Sequence, residues 1–188
     1  MTRKFLKSVL SLMAIIVVSV TANAQENDII KISKETLEEF EVIASDVANK
    51  VKKIKENPKF KTNPENFESE IKNVTKPLVM LSKRLMTEGN ISANEIPELN
   101  GKSLTDEQAI ISGLLIFTSQ TNLAIQSNSV GGCIANAVVG IELHEGFWSN
   151  FTNKRVMLKL LGKTLTRALG PISAALIVYD FADCMGWI

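Results

Sequence analysis

The chain has 188 residues, with 21 basic and 20 acidic side chains, one histidine and two cysteines. This is the length of a single domain able to bury a real core, and the balanced charge gives no reason to expect nucleic acid as a partner. One histidine and two cysteines are a poor donor supply for a metal centre, so neither a metal nor another cofactor is expected.

The first 24 residues, "MTRKFLKSVLSLMAIIVVSVTANA", place Arg3, Lys4 and Lys7 before an apolar run from Val9 to Val20 and small residues at Ala22 and Ala24. That order is the layout of a secretory signal peptide, and cleavage is expected after Ala24, leaving Gln25 first. No cysteine follows the run, which closes the lipoprotein route. Removing the leader leaves 18 basic and 20 acidic residues, a net charge of about −2. Export, to the periplasm or outside the cell, delivers Cys133 and Cys184 to an oxidising compartment, where a Cys133–Cys184 disulfide is expected. By the loop-entropy account, such a closure stabilises a fold by about 4 kcal/mol.

Charge then divides the chain into residues 25–100, with 12 basic and 14 acidic side chains, and residues 101–188, with six of each. In the first part Leu37, Phe40, Ala44, Val47, Val51 and Ile54 recur at steps of three and four and predict a helix capped by Ser33. Its acids (Glu35, Glu38, Glu39, Glu41) come early and its lysines (Lys50, Lys52, Lys53, Lys55) late, which suits the helix dipole. "NPKFKTNP" breaks the pattern, and Asn63 with Pro64 restarts it. Phe67, Ile71, Val74, Leu78, Leu81 and Leu85 continue in phase across Pro77, predicting a kink in a helix that stops at Gly89. Two such helices form an antiparallel hairpin.

"GNISANEIPELNGKSL" reads as a loop. Thr105 with Gln108 forms a capping box for a third helix through "DEQAIISGLLIFTSQTNLAIQS". A fourth helix is expected from about Val130, a fifth over "TNKRVMLKLLGKTLTRAL", and a last one over "PISAALIVYDFADCMGW" after Gly170. The fold class expected is therefore all-α, with an N-terminal hairpin packed on a disulfide-tied four-helix C-terminal subdomain.

Chemistry is weakly signalled. Cys133 and His144 suggest a thiol site, but eleven residues of helix separate them by about 16 Å, too far for a nucleophile and its base. Glu142, His144 and Glu145, with Asp180 and Asp183, provide only one nitrogen donor for a metal. No phosphate loop, nucleophile elbow or zinc-protease pair is present, so no enzymatic activity is expected. Gly132, Asn136 and Gly140, with His144, are spaced by four and form a small or polar ridge suited to close helix packing. Arg155, Lys159, Lys163 and Arg167 form a basic stripe beside Lys154, with Met157, Leu160, Leu161, Leu165 and Ala168 on another face. A basic amphipathic helix of this kind suits an anionic membrane surface or an acidic protein partner. The plainer alternative has the stripe neutralised by Glu142, Glu145, Asp180 and Asp183. Asn73, Asn90 and Asn150 lie in glycosylation-type sequons, which matter only in a eukaryotic secretory pathway.

The uncharged stretch from Gln108 to Ile141 resembles in layout the insertion hairpin of pore-forming bacteriocins, although Ser112, Thr118, Ser119, Gln120, Thr121 and Asn122 interrupt it. Gly131-Gly132 before Cys133 is similar to the double-glycine cleavage point of small antimicrobial precursors, where cleavage would release a 56-residue piece. The expected function is an exported, non-enzymatic helical protein that binds a partner or a membrane surface. The alternative is a bacteriocin-like, membrane-active protein or precursor whose active part starts near Gln108 or Cys133.

Overall fold

The computed structural model describes residues 28–121, 152–166 and 170–188. Its described residues are mostly helical. Ser33 caps α1 (Lys34–Glu56), its Oγ accepting from the Thr36 N–H at 3.2 Å. Phe40, Ala44, Val47, Val51 and Ile54 of the expected apolar face are all buried. The break after α1 differs from the single restart that the sequence suggests. Asn57 already caps a short helix α2 (Pro58–Thr62), and Pro64 then opens a 3-10 turn that leads into α3 (Glu68–Glu88).

Helix α3 runs through Pro77 and buries Ile71, Leu78, Leu81 and Leu85. It ends at Gly89, where close packing leaves little room for a side chain. A Cβ there would stand 3.1 Å from Ile30 Cγ2, and the left-handed residue is the next one, Asn90, at φ 52°. The loop that follows is more ordered than its composition suggests. Ser92 and Glu95 form a capping box around one 3-10 turn, and Pro97–Leu99 forms another.

The Thr105–Gln108 capping box is present at the start of α4 (Asp106–Gln120). Every residue from Ala109 to Ser119 is buried, so these three turns have no solvent face. A helix apolar on all sides is stable only at the centre of a fold, and α4 lies against α3, α1 and α6 (Pro171–Cys184). Helix α6 in turn lies on α1 and α3. The junction is aromatic: Phe40 stacks on Phe117 at 5.0 Å, and Trp187 meets Phe117 and Phe181 edge-on at 5.6 and 5.3 Å. Such pairs add about 0.5–1.5 kcal/mol each beyond the area they bury.

Helices α3 and α4 approach closely where Ser82 meets Gly113. A Cβ on Gly113 would collide with the Ser82 side chain and stand 3.0 Å from Ser82 Cα. Ser82 Oγ is buried there without a hydrogen-bond partner.

One short non-helical contact links distant parts of the chain. Ile29 pairs antiparallel with Asn153, the Ile30 N–H donates to the Thr152 carbonyl at 2.9 Å, and the Lys154 N–H donates to the Asp28 carbonyl at 2.6 Å. This strap leads directly into α5 (Lys154–Leu165), which also contacts α4 and the Pro97–Leu99 turn.

Candidate functional site

Helix α5 carries the basic stripe. Asn153 caps it, its Oδ1 accepting from the N–H groups of Arg155 and Val156 at 2.9 and 3.3 Å. Met157, Leu160, Leu161 and Leu165 are buried, which anchors one face and turns Arg155, Lys159 and Lys163 to solvent. Arg167 and Ala168 lie outside the described residues.

The stripe is not uniform. Lys154 is only 13% exposed, and its Nζ lies 2.8 Å from Glu95 Oε1. The Lys154 hydrogen bond holds the Glu95 carboxyl below its usual range, against the opposing effect of burial and with help from the Ser92 N–H. Arg155 pairs with Asp28 at 3.0 Å but stays 76% exposed. Lys159 and Lys163 form no ion pair among the described residues. Cations in the first turn of a helix oppose the dipole, and α5 has no acid of its own there. Asp28 and Glu95, brought from two other segments, supply the missing negative charge.

These partners differ from the acids that the sequence suggests. Asp180 and Asp183 are exposed on α6 and make no ion pair with the described residues of the stripe, while Glu142 and Glu145 lie outside the described residues. The physical reason is the strap, which carries Asp28 onto the first turn of α5, together with the 3-10 turns that bring Glu95. A third acid, Glu98, lies against the backbone of Gly162, where an added Cβ would clash with its carboxylate. Nothing local in the sequence marks Asp28, Glu95 or Glu98, because each reaches α5 only through a long-range contact.

The packing ridge Gly132, Asn136 and Gly140 lies outside the described residues, as do Cys133, Glu142, His144 and Glu145. Cys184, the expected partner of Cys133, is exposed at the end of α6. Among the described residues no three His, Cys, Asp or Glu side chains are grouped as metal ligands would be. Comparison with protein-family models, curated proteins and solved structures finds no match to this chain.

Proposed function

We propose that the protein is exported, is not an enzyme, and works by contact: the basic face of α5 meets an anionic membrane surface or an acidic partner. One observation carries this reading. Arg155, Lys159 and Lys163 face solvent from a helix whose other face is held in the core, so a charged surface can be engaged without disturbing the fold. No helix among the described residues is long and apolar enough to cross a membrane, and the contact proposed is peripheral. The reading includes leader cleavage after Ala24 and a Cys133–Cys184 disulfide tying the C-terminal part, in keeping with Cys184 not being a free thiol.

Vesicle flotation tests the contact. The purified chain should float with phosphatidylglycerol vesicles at low salt but not with phosphatidylcholine vesicles, and R155E/K159E/K163E should abolish the effect. Binding that survives this reversal removes α5 as the contact. Dye release from the same vesicles would instead select the membrane-active alternative. Intact-mass measurement of the secreted product, before and after reduction, reads the leader cleavage and the disulfide directly.

A further inference from the structure

The loop between α3 and α4 holds an asparagine–glycine pair, Asn100-Gly101, and both residues are exposed. Asn100 stands at φ 49°, ψ 42°, and Gly101 at φ 75°. The Lys102 N–H donates to the Leu99 carbonyl at 2.9 Å. Leu99 to Lys102 therefore close as a tight turn with positive φ at both central residues, the type I′ pattern. Asparagine and glycine take that backbone with the least strain. The turn follows the Pro97–Leu99 segment that contacts α5 and precedes the Thr105 cap of α4.

Within this turn an electrophile and a nucleophile are chain neighbours, and neither is engaged. The Asn100 side-chain amide makes no hydrogen bond among the described residues, and the Gly101 N–H donates none. A Cβ built on Gly101 would meet no described atom within 4 Å, so water reaches both groups. Other asparagines lack this freedom. The N–H groups that follow Asn90, Asn94 and Asn153 are already donated, to the Met86, Ser92 and Asp28 carbonyls at 2.8, 3.0 and 2.6 Å. Asn57 and Asn63 precede prolines, which have no N–H. Asn90 is the closest comparison: it is exposed and left-handed like Asn100, at φ 52°, yet the nitrogen after it is held.

We propose that Asn100 is a site of self-modification, closing on Gly101 to a cyclic imide that opens to isoaspartate and aspartate. Hydroxide takes the Gly101 amide proton, and the nitrogen attacks Asn100 Cγ. A C–N bond forms there, and the side-chain amide leaves as ammonia. Water then opens the imide. Attack at Cγ gives aspartate, and attack at the Asn100 backbone carbonyl gives isoaspartate, whose main chain runs through Cβ and Cγ. Water is the only co-reactant and nothing is oxidised or reduced. To bring the nitrogen onto Cγ, Asn100 must rotate about ψ, which breaks the Lys102–Leu99 hydrogen bond. One exposed hydrogen bond is a weak restraint. The isoaspartate product has one more methylene in its backbone and a carboxylate where a neutral amide stood, so the original turn does not re-form. This site uses none of the residues of the α5 stripe, so each stands or falls separately.

Incubation of the purified full chain in mildly alkaline buffer tests the proposal. The readouts are peptide mapping by mass spectrometry, ammonia release, and chain cleavage by hydroxylamine, which attacks the imide. Conversion is expected at Asn100 first, with isoaspartate among the products, while peptides holding Asn66, Asn90 and Asn94, all exposed, stay unchanged. The rate should rise with pH, as attack by a deprotonated nitrogen requires. It should lie within about tenfold of the rate for the same chain in urea, since a single hydrogen bond restrains the folded turn. Asn100→Gln, which would need a larger ring, should abolish both the ammonia released from this site and the hydroxylamine cut, with helicity by circular dichroism unchanged. An Asn100 that stays intact in the folded chain overturns the proposal, whatever the unfolded chain does. So does conversion at Asn90 as fast as at Asn100, because the free N–H would then not select the site.

Discussion

At the scale of single residues, Gly113 and Ser82 show how little room the core leaves. Alanine is ordinarily the better helix former by about 1 kcal/mol, yet at Gly113 its methyl group would drive into the Ser82 backbone and side chain. Overpacking of this kind costs about 1–3 kcal/mol, so Gly113→Ala should lower stability in urea denaturation. Ser82→Ala should act in the opposite sense, because it removes a buried hydroxyl with no partner and gains up to about 1 kcal/mol. The double variant should recover part of the Gly113→Ala loss, since the two sites touch. In the sequence, close helix packing is expected at Gly132, Asn136 and Gly140, where the spacing by four is visible. The Ser82–Gly113 contact has no comparable row of glycines to mark it, and only the tertiary fold brings the two residues together.

At the scale of elements, the parts read correctly are those whose cause is local. The Ser33 cap, the apolar faces of α1 and α3, the Thr105–Gln108 box and the Pro171 start of α6 each depend on residues within a turn or two. The strap from Asp28 to Ile30 is too short to show any periodicity, and its partner is distant in sequence. The site shares this split: the basic and apolar faces of α5 are legible, whereas the acids that hold its first turn are not. Two substitutions test how α5 is held. Asn153→Ala removes the cap shared by Arg155 and Val156 and should cost about 1 kcal/mol. Ile30→Pro deletes the N–H that reaches Thr152 and should do more, raising hydrogen exchange throughout α5 while α1 and α3 stay protected.

At the scale of the whole molecule, two carboxylates join distant segments and set the response to acid. Burial pushes the Glu88 carboxyl up, but hydrogen bonds from Thr36, the Ser33 N–H, Arg84 and the Ser33 hydroxyl together hold it below the usual value of 4.5. It thereby ties the end of α3 to the start of α1. Glu95, also lowered, ties the loop after α3 to α5. A carboxyl whose folded pKa lies below its unfolded one stabilises the fold above the unfolded value, and that contribution is lost as pH falls through the folded value. The melting temperature should therefore drop as pH falls below about 4.5, and E88Q/E95Q should lower it at neutral pH while flattening the acid decline. The strap bears on how this fold is reached. The Ile30 N–H and the Asp28 carbonyl find Thr152 and Lys154 only once about four-fifths of the chain has been made, so the two ends of this strap meet among the last contacts of a chain that grows from its N-terminus.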